Sequence, residues 1–124
     1  MLETGVDIIE IDRIEGALAR HGSRFLERVY TPNEVRQSRS RAESLAARFA
    51  AKESAFKALG ERVGWREVEV VRAASGKPGL LLHGRARAIA RRLGLRSWTV
   101  SLSHSRTHAV AIVVASSQAL GSTA

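Results

Sequence analysis

The stretch of sequence that determines the fold is AESLAARFAAKESAFKALG, residues 42–60. Residues 42–59 contain no glycine or proline and are rich in alanine, leucine, glutamate and lysine, which are strong helix formers. Gly60 then provides a residue type that is common just after the end of a helix. The pattern therefore predicts one long helix over residues 42–59.

One charged residue falls within the apolar face of this predicted helix. At helical spacing, the apolar side chains of Leu45, Phe49, Phe56 and Leu59 form a narrow stripe, with Lys52 in its middle. A lysine in this position can lay its methylene stem along apolar surface and keep its ammonium group in water. It can also serve a function that requires a cation there, and the helical pattern leaves both interpretations open.

Three more charged residues lie beside Lys52. Glu53 is at the margin of the stripe, Lys57 is one turn further along the same side, and Arg48 is on the opposite margin. In one interpretation, Glu53 and Lys57 form an ordinary helical ion pair worth about 0.2–0.5 kcal/mol. In the other, cations and a carboxylate converge on a phosphate group and its divalent cation, since Mg²⁺ needs only one or two carboxylates plus substrate phosphates.

A second carboxylate interrupts the apolar run that opens the chain. Residues 6–11 predict a strand, and Asp7 lies inside it. An unpaired charge among apolar residues is costly, and a metal ion would compensate it. Asp7 precedes Glu53 by 46 positions, so spacing alone does not show that they meet. A role for Asp7 as a helix cap or in a salt bridge is the alternative.

Shorter elements are predicted on both sides of the long helix. A capping box formed by Asp12 and Glu15 predicts a helix over residues 13–21, and Thr31-Pro-Asn-Glu34 predicts the start of another. Further helices are expected at 25–30 and 85–93, and further strands at 68–71, 80–82, 98–103 and 108–114.

These elements do not alternate regularly, which favours an α+β fold with a mainly antiparallel sheet. We expect a single domain over residues 1–116, built from that sheet, one long helix and several short helices. The polar tail, residues 117–124, is expected to fray.

Composition limits the classes of function. The chain of 124 residues has no cysteine, which excludes disulfides, thiolate nucleophiles and zinc–thiolate sites. It carries 20 Lys+Arg against 12 Asp+Glu, a net charge of +8, which predicts polyanionic partners or substrates. No apolar run is long enough to span a membrane and no signal peptide is recognisable, so a soluble, intracellular protein is expected.

A small domain that binds nucleic acid is the main rival hypothesis. Its support is the net charge and a cluster of arginines at positions 85, 87, 91 and 92. The six aromatic residues are few for a base-stacking surface, and no nucleic-acid module is recognisable.

Three motifs occur in an order that resembles one enzyme family. They are Gly5-Val6-Asp7, the central run Arg48–Gly60, and Ser101-Leu-Ser-His104, with a Gly76-Lys77-Pro78 turn before the last. Together they resemble holo-(acyl-carrier-protein) synthase, the small stand-alone type of 4′-phosphopantetheinyl transferase. The resemblance covers nearly the whole chain, and it departs mildly at Ser54, where alanine is more usual in the small type.

The resemblance implies both a reaction and a set of site residues. A serine hydroxyl of a carrier protein attacks the β-phosphate of coenzyme A, and 3′,5′-ADP leaves. Asp7 and Glu53 would hold Mg²⁺, Lys57 would contact the phosphates, and either Asp7 or Glu53 would accept the serine proton. The residues expected at coenzyme A are Arg48, Lys52, Lys57, Lys77, Pro78 and His104.

The resemblance also implies partners. An acidic acyl carrier protein would dock on Arg13, Arg20 and Arg24, which explains the basic charge; a solvated helix face is the alternative. Neither nucleic acid nor a membrane is expected as a partner. The resemblance further implies a homotrimer with the active site between subunits, a cytoplasmic location, and a carrier from fatty-acid or polyketide synthesis.

Overall fold

Five strands and five helices make up the fold of the computed structural model, which describes residues 1–118. In chain order they are β1 (Leu2–Glu10), α1 (Ile11–His21), α2 (Ser23–Val29), α3 (Pro32–Ser38), α4 (Ala42–Leu59), β2 (Val68–Arg72), β3 (Pro78–Leu82), α5 (Gly84–Leu93), β4 (Ser97–His104) and β5 (His108–Ser116). A short 3₁₀ turn, Trp65–Glu67, precedes β2.

The strands form two antiparallel sheets. The larger sheet has the order β1-β5-β4, and the smaller is the hairpin β2-β3. This confirms the predicted α+β fold with antiparallel pairing. No helix within residues 1–118 is long and apolar enough to cross a membrane.

The long helix α4 is confirmed with the predicted bounds, and Gly60 ends it in the left-handed conformation at φ 80°. Its environment differs from the prediction. Instead of a narrow apolar stripe, α4 buries residues on most of its circumference, because both sheets and helices α1, α3 and α5 pack around it. Its many alanines let these elements approach closely.

The closest approach is between β1 and α4. A Cβ atom on Gly5 would lie 1.8 Å from the backbone oxygen of Ser54, so only glycine fits there. The buried hydroxyl of Ser54 donates to the carbonyl oxygens of Ala50 (2.8 Å) and Ala111 (3.1 Å), which ties α4 to β5 as well. These contacts fix the position of α4 against the sheet.

The two predicted helix starts have different outcomes. The Thr31–Glu34 capping box is confirmed: the Glu34 amide donates to Thr31 Oγ1 (3.2 Å) and the Thr31 amide donates to Glu34 Oε1 (3.0 Å). The prediction of a capping box formed by Asp12 and Glu15 is wrong. Because β1 runs directly into α1, the helix starts at Ile11 without a side-chain cap, and the Ile11 amide donates to the Thr107 carbonyl oxygen instead (2.8 Å).

The chain ends of the described region lie together. The Ser117 amide donates to the Met1 carbonyl oxygen (3.0 Å), and Ser97 Oγ donates to the Gln118 carbonyl oxygen (2.5 Å). The rest of the predicted tail, residues 119–124, lies outside the described residues.

Candidate active site

The fold brings together the two carboxylates that spacing could not place. Asp7 lies two residues after Gly5 on the sheet face that packs against α4, and Glu53 precedes Ser54 on that helix. The Gly5–Ser54 contact therefore sets Asp7 and Glu53 at one junction. The charge of Glu53 is close enough to raise the pKa of Asp7.

Each carboxylate has its own cation. Lys57 Nζ lies 3.4 Å from Asp7 Oδ1 and donates to the Val6 carbonyl oxygen at 2.7 Å. Arg62 Nη2 donates to both carboxylate oxygens of Glu53, at 3.0 and 3.2 Å. The ordinary helical pair of Glu53 with Lys57 is thus not formed, because Lys57 turns towards β1.

The electrostatics of Asp7 favour a cation at this junction. Partial burial raises the pKa of Asp7 above its ordinary value; Lys57 opposes this shift and Glu53 adds to it. Within residues 1–118, no group of three or more His, Asp or Glu side chains could hold a metal ion. The donor set is therefore a pair of carboxylates, which fits Mg²⁺ when substrate phosphates and water supply its remaining ligands.

The prediction that Lys52 contacts coenzyme A is contradicted by its position. Its side chain is 0% exposed, and Nζ forms an ion pair with Glu34 Oε1 at 2.7 Å. Nζ also donates to the carbonyl oxygens of Trp65 (3.0 Å) and Val68 (2.5 Å). Lys52 is neither extended into water nor free to meet a phosphate, because all three of its hydrogen bonds are made inside the protein.

Arg48 is buried but only partly satisfied. Its residue is 1% exposed, and Nη1 donates to the backbone and side-chain oxygens of Ser44. Its Nε and Nη2 atoms have no hydrogen-bond partner within residues 1–118. Burial lowers the pKa of Arg48, and the nearby charge of Arg72 lowers it further. These two donors are themselves buried, so an anionic ligand reaches them only after neighbouring side chains move.

Arg72 links this region to the β2-β3 turn. It ends β2 directly opposite Pro78 and donates from Nη1 to the Gly76 carbonyl oxygen at 2.8 Å. Arg72, which the sequence patterns did not single out, is also close enough to Arg48 for its charge to lower the pKa of that guanidinium. His104 is exposed at the end of β4, and within residues 1–118 its imidazole forms one hydrogen bond, between Nδ1 and the Ser105 carbonyl oxygen at 3.3 Å.

The predicted carrier-binding arginines lie on the surface of α1 and α2. Arg13 and Arg20 line one cavity of about 340 Å³ together with Phe25 and Phe49. Arg24 lines a neighbouring cavity of about 360 Å³, again with Phe25. Phe25 lines both cavities, so the three arginines border two adjoining depressions; Asp12 also lines the first of them.

The arginine cluster on α5 is partly neutralised. Arg85 and Arg92 form ion pairs with the two carboxylate oxygens of Glu61. Arg87 and Arg91 form no ion pair within residues 1–118. This arrangement weakens the case for a nucleic-acid surface there.

Comparison with known proteins agrees with this geometry. The sequence profile of the 4′-phosphopantetheinyl transferase superfamily matches residues 3–113. The chain is 53% identical to the holo-[acyl-carrier-protein] synthase of Herpetosiphon aurantiacus, over 92% of this chain and 98% of that protein. It is 49% identical to the holo-[acyl-carrier-protein] synthase of Moorella thermoacetica, over 94% and 95%.

A solved structure shows the same fold. The Helicobacter pylori holo-[acyl-carrier-protein] synthase, determined in complex with coenzyme A, superposes with a TM-score of 0.84 at 29% identity, covering 91% of this chain and 99% of that one. The matches span nearly the whole of each relative. The chain therefore belongs to the 4′-phosphopantetheinyl transferase superfamily, in its group of holo-[acyl-carrier-protein] synthases.

Proposed function

We propose that this chain transfers the 4′-phosphopantetheine group of coenzyme A to a serine hydroxyl of an acyl carrier protein and releases 3′,5′-ADP. The observation that carries the proposal is the junction of β1 and α4, where Asp7 and Glu53 are close enough for their charges to interact and where Lys57 and Arg62 pair with them. A pair of carboxylates with adjacent cations suits the transfer of a phosphoryl-type group, which depends mainly on positioning and charge neutralisation.

Asp7 and Glu53 would hold the divalent cation that the reaction requires. When bound, Mg²⁺ would neutralise charge on the pyrophosphate of coenzyme A. Lys57 would add a point charge beside the same phosphates, since its side chain is half exposed and its Nζ is already fixed by the Val6 carbonyl oxygen.

The transfer step makes one bond and breaks one. The serine oxygen of the carrier bonds to the β-phosphorus, and the bond from that phosphorus to the bridging oxygen breaks, so that 3′,5′-ADP leaves with the bonding electron pair. The serine proton passes to Asp7 or to Glu53. Partial burial makes Asp7 a stronger base than an ordinary aspartate, which supports its candidacy.

The nucleotide end of coenzyme A would bind along the basic region from Arg48 to the Lys77–Pro78 turn. The unpartnered donors of Arg48 support this assignment, and Arg72 adds a second guanidinium. His104 would be a further ligand of the phosphates of coenzyme A. Within residues 1–118 its imidazole forms a hydrogen bond only with the Ser105 carbonyl oxygen, which leaves Nε2 available to a phosphate.

An exposed apolar sheet face supports the proposed homotrimer. On the side of the larger sheet away from α4, Val6 is 55% exposed, Ile8 65% and Ile112 45%. Val6 and Ile112 face each other across β1 and β5, so the apolar patch is continuous. A patch of this kind is typical of a subunit interface.

We expect the wild-type protein to sediment as three 13.5 kDa chains at micromolar concentration. Ile112→Glu places a charge within the patch and should shift the protein to a single chain, because burying an unpaired carboxylate is costly. Sedimentation velocity measures both masses. A monomeric wild-type protein would contradict the proposed trimer.

The carrier would bind through Arg13, Arg20 and Arg24. An acidic partner fits the net charge of +8, and charge complementarity speeds encounter in a manner that salt screens. The neighbouring depressions beside Phe25 offer apolar contacts within the same surface. On the same resemblance we propose a cytoplasmic location and a carrier protein of fatty-acid or polyketide synthesis.

Arg13→Glu should raise the KM for the carrier about tenfold, because a reversed charge repels an acidic partner. The affinity for coenzyme A, measured by calorimetry, should stay within about twofold of wild type, because an exposed charge away from the coenzyme A site contributes little to its binding. Arg91→Glu on α5 makes the same charge change elsewhere and serves as the control. Equal losses for both ligands, or from both variants, would refute the assignment.

The release of 3′,5′-ADP tests the reaction itself. Chromatography of the nucleotides should show one 3′,5′-ADP formed for each carrier modified, and EDTA should stop its formation. If coenzyme A disappears without this product, or if EDTA has no effect, the proposed reaction is wrong.

A further inference from the structure

Arg62 binds Glu53 in a way that none of the motifs predicts. It lies two residues beyond Gly60, where α4 ends, and its side chain returns to Glu53 on the last two turns of the helix. One nitrogen, Nη2, donates to both carboxylate oxygens, at 3.0 and 3.2 Å. The positive charge of Arg62 therefore faces the part of Glu53 that would bind a metal ion.

Two aromatic rings hold the guanidinium in this place. Its central carbon lies 5.5 Å from the ring centroids of both Phe56 and Trp65. The Trp65 ring is itself stacked on Phe49, with centroids 4.6 Å apart. These contacts form a shelf that keeps Arg62 beside Glu53, although the Arg62 side chain is 65% exposed.

The two cations of the site are held differently. Lys57 donates at 2.7 Å to the Val6 carbonyl oxygen and lies further from Asp7, at 3.4 Å, so the backbone is its closer partner. The Arg62 side chain has no hydrogen-bond acceptor other than Glu53 within residues 1–118. Lys57 can stay in place when a metal ion binds. Arg62, by contrast, must release the Glu53 carboxylate or share it with the metal ion.

We propose that Arg62 is an internal counter-cation of Glu53, which a divalent cation has to displace, and that Arg62 thereby lowers the metal affinity of the site. The proposal rests on the function proposed above, in which Glu53 is a metal ligand. A guanidinium on both oxygens competes with the cation for the same lone pairs and repels it. Since Arg62 is largely exposed, it can swing into water when displaced.

The direct test is the binding of Mn²⁺ alone to the folded protein, followed by electron paramagnetic resonance at constant pH and low salt. Arg62→Gln should bind Mn²⁺ about two- to fivefold more tightly than wild type, as loss of an exposed ion pair allows. Higher salt should reduce this difference, because it screens the ion pair. Arg62→Met, which keeps an unbranched stem on the Phe56–Trp65 shelf, should show the same gain.

Arg66→Gln is the matched control, since Arg66 is exposed and forms no ion pair within residues 1–118. It removes the same charge nearby and should leave Mn²⁺ affinity unchanged. Unchanged or weaker binding in both Arg62 variants, or an equal gain in Arg66→Gln, would overturn the proposal. Glu53→Gln distinguishes a failure of the Arg62 proposal from a failure of the metal site itself. If this variant binds Mn²⁺ as tightly as wild type, Glu53 is not a metal ligand.

Discussion

Glu53→Gln is expected to reduce the transfer of phosphopantetheine by about a thousandfold while the protein stays folded. Glutamine has the shape of glutamate but lacks the charge that a divalent cation and the developing phosphate charge require. The Glu53 side chain is 20% exposed, and its one described ion pair is with Arg62 at the surface. Its neutralisation should therefore change the free energy of unfolding by only about 0.5 kcal/mol.

Rates of carrier modification at saturating coenzyme A, together with thermal unfolding curves, measure the two effects separately. Glu3→Gln makes the same chemical change at an exposed position of β1, the strand that carries Asp7, and should keep full activity. If the Glu53→Gln variant keeps more than about a tenth of wild-type activity, Glu53 is not a catalytic residue.

Lys52→Met is expected to lower the free energy of unfolding by about 3–5 kcal/mol. It would leave the carboxylate of Glu34 without a counter-ion, and both side chains are 0% exposed. Glu34 also accepts hydrogen bonds from the amides of Thr31 (3.0 Å) and Val70 (2.8 Å), so the pair links α3, α4 and β2. Such a loss is a large part of the roughly 5–15 kcal/mol that stabilises an ordinary domain.

Urea unfolding of Lys52→Met and of the double variant Lys52→Met/Glu34→Gln provides the test. The second substitution removes the uncompensated charge and keeps one acceptor oxygen, which serves the Thr31 amide or the Val70 amide but not both, because each donates to a different oxygen of Glu34. It should therefore recover part of the lost stability. If the double variant is no more stable than Lys52→Met, the cost does not come from an unpaired Glu34 charge.

The sequence patterns predicted those parts of the fold that depend on local preference. The long helix, its glycine stop and the Thr31 capping box were all predicted correctly, because propensity, conformational freedom at Gly60 and side-chain capping act within a few residues. The Asp12 cap failed because the neighbouring β4-β5 turn satisfies the first amide of α1. A contact between distant segments replaced a local one.

The site was predictable in its residue types and less so in its contacts. Asp7 stood out as a charge in an apolar strand, but its meeting with Glu53 depends on the close approach at Gly5, which no spacing encodes. Lys52 stood out in the same way and has a structural partner, because Glu34 caps its own helix with one oxygen and meets Lys52 across the core. The two charges stood out equally in the sequence but have different surroundings in the fold: Lys52 is paired inside the core, and Asp7 is partly buried beside Lys57.

Neither Arg62 nor Arg72 was singled out by the sequence patterns, since each is one arginine among many in a basic chain. Only the folded structure shows that Arg62 faces Glu53 and that Arg72 lies close enough to Arg48 to lower its pKa. A search for arginines within a turn of a helix end that carries a candidate metal ligand could have found Arg62.

The intact mass of an apo acyl carrier protein tests the central claim most directly. The carrier is incubated with this protein, coenzyme A and Mg²⁺, in parallel with an EDTA control and with the Glu53→Gln variant. We predict that the carrier gains one phosphopantetheine group with the wild-type protein and Mg²⁺, and gains none in the EDTA control or with Glu53→Gln. No gain across several carriers with folded wild-type protein, or the same gain with Glu53→Gln, would contradict the account.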